Sequence, residues 1–109
     1  MVLTVFRSRL KAENVEEYYK WAARMSEMAK TMPGYVSHKA FVAEDGERVT
    51  IVEFADEGGQ EGWRTRPEHL EAQKKGRNEF YTEYKLQICK VVRESAFGGV
   101  SKSADKVPG

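Results

Sequence analysis

Three residues of this sequence could together carry acid–base chemistry: His69, Trp63 and Arg7. Histidine titrates near neutral pH, which makes His69 the candidate general base. Trp63 would add a flat apolar ring, and the guanidinium group of Arg7 could stabilise an enolate or a carboxylate. Removal of a proton from a substrate carbon needs a base, an apolar pocket and a group that holds the resulting anion. The sequence therefore offers candidates for a site that removes a proton from a small molecule and stabilises its anion.

Each candidate also has an ordinary structural interpretation. His69 follows Pro67 at the start of a predicted helix, where a histidine is often simply exposed. Arg7 could be an interface or surface charge. The second histidine, His38, lies within an apolar strand and is predicted to be structural. The single cysteine, Cys89, is predicted to be a small buried hydrophobe rather than a nucleophile.

A set of aromatic and methionine side chains could line a pocket between the helices and the sheet. Such a composition suits a flat aromatic ligand, although a stripe of this kind at helical spacing is more often protein core. The predicted substrate-binding residues are Phe6, Trp21, Met25, Met28, Phe54, Phe80 and Tyr84.

These residues are carried by a predicted order of strand, helix, strand, strand, helix, strand. Alternating apolar residues predict the strands, apolar residues three and four apart predict the helices, and Pro33-Gly34 predicts a helix end. The predicted strands are 2–10, 35–42, 48–55 and 86–93, and the predicted helical segments are 14–32, 60–64 and 67–84. This order defines an α+β ferredoxin-like βαββαβ fold with a four-stranded antiparallel sheet.

Length and charge limit the class of protein. The 109 residues carry 18 basic and 17 acidic side chains, a formal net charge of +1. We expect one domain over 1–97 and a flexible tail over 98–109. The balanced charge gives no reason to expect nucleic acid or a membrane as a partner, and one cysteine without a signal peptide predicts a cytoplasmic protein. The motifs of kinases, zinc enzymes and serine hydrolases are absent from the sequence.

The predicted sheet has a second face that the helices do not cover. Large apolar side chains on that face would have to be buried, and packing two such sheets face to face buries them by two-fold symmetry. We therefore expect a homodimer. A monomer with a less apolar second face is the alternative.

One segment and several following positions resemble the antibiotic biosynthesis monooxygenase family, within the dimeric α+β barrel superfamily. They are Trp63-Arg64-Thr65-Arg66-Pro67-Glu68-His69-Leu70-Glu71-Ala72-Gln73, then Gly76-Arg77, Phe80-Tyr81, Tyr84 and Val91-Val92-Arg93. The resemblance implies relatives that convert anthrones or hydroquinones to quinones without metal or flavin, and others that degrade haem. Related barrels include cyclases, dismutases and decarboxylases, so the fold alone does not decide the reaction.

The haem-degrading branch of this family fits the sequence poorly. Gln73 stands where that branch has its iron-ligating histidine, and Arg7 and Ser8 stand where it has an asparagine on the first strand. The leading hypothesis is thus a cofactor-independent monooxygenase that binds a small aromatic or quinol molecule and oxygen. The alternatives are a non-redox cyclase or isomerase on the same scaffold, and a dimeric protein that binds a small molecule without converting it.

Overall fold

The computed structural model describes residues 1–98 and contains four strands, three α-helices and one π-helical turn. The predicted tail, 98–109, lies outside the described residues except for Gly98. Within 1–98, no helix is both long and apolar enough to cross a membrane. In chain order the elements are β1 (Val2–Leu10), α1 (Val15–Lys30), β2 (Tyr35–Val42), β3 (Arg48–Phe54), α2 (Glu57–Arg64), α3 (Pro67–Lys75), the π-turn (Gly76–Phe80) and β4 (Tyr81–Lys90).

The four strands form one antiparallel sheet in the order β2-β3-β1-β4. Strand β1 is central, and its residue Thr4 lies opposite Val52 of β3 and Ile88 of β4. The predicted α+β ferredoxin-like fold is confirmed.

The two faces of the sheet differ because side chains alternate along each strand. On β1, Val2, Thr4 and Ser8 are buried beneath the helices, and we call this side of the sheet the helical face. The intervening residues, which include Val5 and Arg7, point to the other side, the open face.

The core lies between the helical face and the first two helices. Ala29, Val52, Phe54 and Trp63 form one buried cluster, which we call the core cluster; Met28, Met32 and Tyr35 pack against it. Phe54 is completely inaccessible to solvent. Burial of such side chains, at roughly 25 cal/mol per Å² of apolar surface, is what holds the helices on the sheet.

Helix α2 is longer than the predicted turn at 60–64 because Asp56 caps it earlier. The Asp56 side chain accepts a hydrogen bond of 2.8 Å from the backbone N–H of Gly59, so the helix begins at Glu57. The helix then runs for two turns and carries Trp63 into the core.

The predicted boundary between the last helix and the last strand is wrong. The helix was expected to reach Tyr84, but α3 ends at Lys75 and the π-turn leads directly into β4 at Tyr81. Tyr81 pairs with Leu10 of β1, so cross-strand hydrogen bonding replaces helix there. Tyrosine and threonine favour strands, and here that preference outweighs the helical spacing of Phe80 and Tyr84. The strand correspondingly ends at Lys90, before the expected end at Arg93.

Candidate functional site

The rings of Trp63 and His69 are in contact where α2 meets α3. Their ring centroids are 4.3 Å apart, with a tilt of 54° between the planes. Trp63 is buried on the last turn of α2, and His69 is half-buried on the first turn of α3. Pro67 begins α3, as predicted, because proline suits the first helical position, and this short connection brings the two rings together.

Two neighbours fix the orientation of the His69 ring. Its Nδ1 lies 3.4 Å from the Nε2 amide nitrogen of Gln73, one helical turn later. The backbone carbonyl of Arg64 also lies near the ring, where it favours the protonated form. When the Gln73 amide nitrogen donates to Nδ1, that atom carries the lone pair and the ring proton is on Nε2.

The environment of His69 keeps its imidazole neutral at ordinary pH. Burial lowers the pKa of His69 below its usual value of 6.5, and the positive charge of Arg64 lowers it further, while the hydrogen bond to the Arg64 carbonyl opposes both effects. A neutral imidazole with a lone pair on Nδ1 can accept a proton. The contact with Gln73 is long for a hydrogen bond, so a stronger donor could displace that amide.

The indole N–H of Trp63 has no partner within residues 1–98. Trp63 is 8% exposed, its Nε1 is buried, and no hydrogen-bond acceptor lies in reach. Its ring packs against Phe54, at 5.8 Å between centroids. A buried donor without a partner costs about 1–3 kcal/mol, so such groups are rare unless something outside the chain satisfies them.

The residues predicted to bind substrate fall into separate groups. Met28 and Phe54 lie with Trp63 in and around the core cluster. Phe6 and Tyr84 lie farther along the helical face, with 5.4 Å between their centroids, in what we call the tyrosine cluster. The other members of that cluster are Tyr18, Phe80 and Tyr81.

The tyrosine cluster contains a phenol that stays protonated. Burial raises the pKa of Tyr81, and the neighbouring Tyr18, which hydrogen-bonds to it, raises it further. Tyr81 also packs edge-on against Phe6, at 5.3 Å between centroids. The contact between Tyr18 and Tyr81 was not predicted from the sequence, because Tyr81 was expected on a helix and not at the start of β4.

Trp21 lies apart from both groups. The Arg24 guanidinium carbon lies 4.6 Å from the centroid of the Trp21 ring, and the Lys75 ammonium lies 5.9 Å from it. The ring lines a shallow surface cleft along the first half of α1. Met25, on the same helix, is half-buried.

Arg7 is not brought to the Trp63–His69 pair. It points to the open face, on the opposite side of the sheet, where its guanidinium group makes two hydrogen bonds of 2.8 Å to the carboxylate of Glu47. That contact lowers the pKa of Glu47. Cys89, on β4, is also on the open face and is half-buried.

The second histidine forms a pair of its own. His38 lies opposite Val52 on the helical face, and its Nδ1 is 2.6 Å from the Tyr35 hydroxyl. Burial and the charge of Lys30 lower its pKa. In the described part of the chain, no three His, Cys, Asp or Glu side chains converge as they would around a metal ion.

Comparison with known proteins places the chain among relatives of one kind. The family model described as antibiotic biosynthesis monooxygenase matches residues 1–75. The Bacillus subtilis (strain 168) protein YqjZ, itself uncharacterized, is 31% identical over 93 residues, which span 85% of this chain and 82% of YqjZ.

Solved structures share the fold at low sequence identity. A candidate antibiotic biosynthesis monooxygenase from Deinococcus radiodurans superposes with a TM-score of 0.79 at 12% identity, over 91% of this chain and 100% of that one. SnoaB, a cofactor-independent oxygenase from Streptomyces nogalater, superposes with a TM-score of 0.71 at 18% identity, over 85% of this chain and 94% of that one. At these identities the likeness shows the fold.

Proposed function

The chain belongs to the antibiotic biosynthesis monooxygenase family, and from that premise we propose that it is a cofactor-independent monooxygenase acting on a small aromatic or quinol substrate. The observation that carries the proposal is the contact between the rings of Trp63 and His69. One ring offers a buried N–H without a partner, and the other is a neutral imidazole held in one orientation. SnoaB, which shares the fold, is a cofactor-independent oxygenase, and this supports the same assignment.

The proposed reaction converts an activated CH₂ group, that of an anthrone or of the keto tautomer of a quinol, and O₂ into a carbonyl group and water. The base removes a proton from the substrate carbon, and the resulting anion gives one electron to O₂. The substrate radical and superoxide then combine into a carbon-bound hydroperoxide, after protonation of the outer oxygen. Loss of water from this hydroperoxide leaves one oxygen atom in the new carbonyl group. The substrate itself supplies all the electrons, so the protein must supply only a base, an apolar site and a donor for the anion.

His69 is the proposed base, through Nδ1. Substrate would displace the Gln73 amide from that nitrogen, and the Arg64 carbonyl would hold the opposite ring proton while the imidazolium exists. Its lowered pKa keeps the ring ready to accept a proton at neutral pH. Trp63 would donate its indole N–H to the oxygen on which the negative charge of the anion develops.

The apolar residues are proposed to hold the aromatic rings of the substrate. Met28 and Phe54 are next to Trp63, while Phe6 and Tyr84 lie toward the β4 edge, where Tyr84 is 41% exposed. Arg7 stays outside the proposed site because it is on the other face of the sheet, paired with Glu47.

We also propose that the protein works as a homodimer joined through the open face. That face carries half-buried or exposed apolar side chains on three neighbouring strands, among them Leu3, Val5, Phe41, Val49 and Ile51. Phe41 is 48% exposed, which is unusual for a phenylalanine unless another surface covers it.

Oxygen consumption by the metal-free protein tests the proposed activity. The substrates are an anthrone and a hydroquinone, each assayed with and without added haem. We expect uptake without haem, a loss of about 10²-fold or more in His69→Ala, and a smaller loss in Trp63→Phe, which keeps the ring but removes the N–H.

Other outcomes favour the alternatives. Conversion of substrate that proceeds equally without oxygen would support a non-redox cyclase or isomerase. Saturable binding without conversion of any substrate would support a binding protein. Either result contradicts the proposed monooxygenase.

A further inference from the structure

A buried hydroxyl group in the middle of the sheet has no partner. Thr4 is 4% exposed, and within residues 1–98 its Oγ1 makes no hydrogen bond. A valine at this position would fill the same space without that cost, and would suit the strand equally well. The hydroxyl therefore stabilises nothing that the described chain contains.

The hydroxyl lies in the same part of the interior as the indole of Trp63. Thr4 is on the helical face directly opposite Val52, and cross-strand neighbours of this kind have their Cβ atoms about 5 Å apart. Val52 belongs to the core cluster that contains Trp63. Two buried donors that lack partners within residues 1–98, one from β1 and one from α2, thus adjoin the same core cluster.

We propose that the Thr4 hydroxyl and the Trp63 N–H together bind a single carbonyl or phenolate oxygen of the ligand. Indole nitrogen can only donate, and a carbonyl oxygen accepts two hydrogen bonds, so the two groups match one acceptor oxygen. The inference rests on the proposed function and narrows it to ring systems with such an oxygen. Thr4 is a substrate-binding residue in this account, and the base is still His69.

The side chains around this region can move to admit a ligand. Met28 and Met32 pack against the core cluster, and methionine has an unbranched chain that repacks at low cost. A flat ring system could enter by displacing methionine side chains while the sheet and the two donors stay in place.

The test uses two ligands that differ only in the oxygen: 1-tetralone, which has a carbonyl group, and tetralin, which lacks it. Equilibrium dialysis is carried out without oxygen, so it measures binding alone. We expect the native protein to bind 1-tetralone with about 10-fold higher affinity than tetralin. This ratio corresponds to the net contribution of one to two hydrogen bonds to a neutral acceptor.

Thr4→Val should remove most of that preference, and Trp63→Phe should reduce it similarly. The unliganded Thr4→Val protein should also melt a few degrees higher, because the unpaired hydroxyl is gone. The control is Thr50→Val, on β3 opposite Phe6, where the threonine is only half-buried. This control should keep the native preference.

Two results would overturn the inference: equal binding of 1-tetralone and tetralin by the native protein, or a Thr4→Val variant that keeps the native preference. The proposed reaction fails separately. A native preference that Thr4→Val abolishes, in a protein that consumes no oxygen, would leave the ligand site standing and remove the monooxygenase assignment. If the protein consumes oxygen and the Thr4→Val variant still prefers 1-tetralone as the native protein does, the monooxygenase assignment stands and the proposed ligand site is removed.

Discussion

The chemistry of His69 depends on which atoms surround its ring. Gln73 contacts Nδ1, the Arg64 carbonyl lies near the ring and favours its protonated form, and the Trp63 ring packs against it. All three neighbours come from α2, α3 or the link between them, so a short stretch of chain positions the proposed base.

The titration of His69 is the first testable consequence. By NMR, the ring should titrate below the usual 6.5, because burial penalises the charged form. Gln73→Glu places a carboxylate near Nδ1 and should raise this pKa by about one unit or more, whereas Gln73→Met, of similar shape and uncharged, should not. His38 titrates in the same spectra and should be unaffected by either change. An unshifted His69 in Gln73→Glu would contradict the described contact.

The same lowered pKa makes stability depend on pH. As the pH falls below 6.5, the unfolded chain binds a proton at this residue before the folded chain does, so folding loses stability. Neutral His69 contributes its full share of stability above pH 6.5. That share is lost as the pH falls from 6.5 through the lowered pKa of the folded protein. We expect the free energy of unfolding to fall between neutral pH and pH 5, and to fall less in His69→Gln. An equal decline in both proteins would contradict a buried neutral imidazole.

Helix α2 can carry Trp63 into the core because it approaches the chain at Pro33 very closely. A Cβ atom on Gly59 would lie 2.6 Å from the Pro33 carbonyl oxygen and 3.2 Å from the Phe54 ring. On the same helix, a Cβ on Gly62 would lie 3.6 Å from the Met32 methyl carbon, an ordinary contact.

This difference predicts opposite effects for two identical substitutions. Gly59→Ala should destabilise the protein by about 1–3 kcal/mol, because backbone must move to relieve the overlap. Gly62→Ala should stabilise it by about 0.5–1 kcal/mol, since alanine favours helix and nothing obstructs it. Denaturant unfolding measures both. A Gly59→Ala protein as stable as the native one would mean that α2 does not lie this close to Pro33.

At the scale of elements, much of the fold was predictable from local patterns. Strands β1 and β2 and the start of α3 at Pro67 were predicted to the residue, because alternation and proline act within a few positions. The start of β4 was not, since Tyr81 joins the sheet through its pairing with Leu10, a contact between residues far apart in sequence.

The candidate site was predictable in part for the same reason. Trp63 and His69 are close in sequence, and their association follows from a short helix connection. The unpaired state of the Thr4 hydroxyl depends on every neighbour across the helical face. Residue types along one strand do not show that this hydroxyl lacks a partner. The location of Arg7 on the opposite side of the sheet could be predicted only by knowing which face the helices cover.

At the scale of the whole molecule, the open face is the side of the sheet that the helices do not cover. Ile51 lies near its centre, opposite Val5 on β1 and Lys39 on β2. If two copies pack through this face, a charge there would be buried in the interface at a cost of several kcal/mol.

Ile51→Lys should therefore convert a dimer into a monomer, as measured by size exclusion with light scattering at micromolar concentration. Val42→Lys is the matched control, because Val42 is 62% exposed on the hairpin and shares the other side of the sheet with His38. It should remain dimeric. A native protein that is already monomeric would contradict the proposed assembly.

The most direct test of the account follows the oxygen atoms. The metal-free protein is given an anthrone under ¹⁸O₂ gas in ordinary water. The quinone product is analysed by mass spectrometry before its carbonyl oxygen can exchange with water. The proposed monooxygenase predicts that one heavy oxygen atom enters each product molecule, and that His69→Ala forms the labelled product far more slowly. Product that carries only oxygen from water, or that forms equally without oxygen gas, would contradict it.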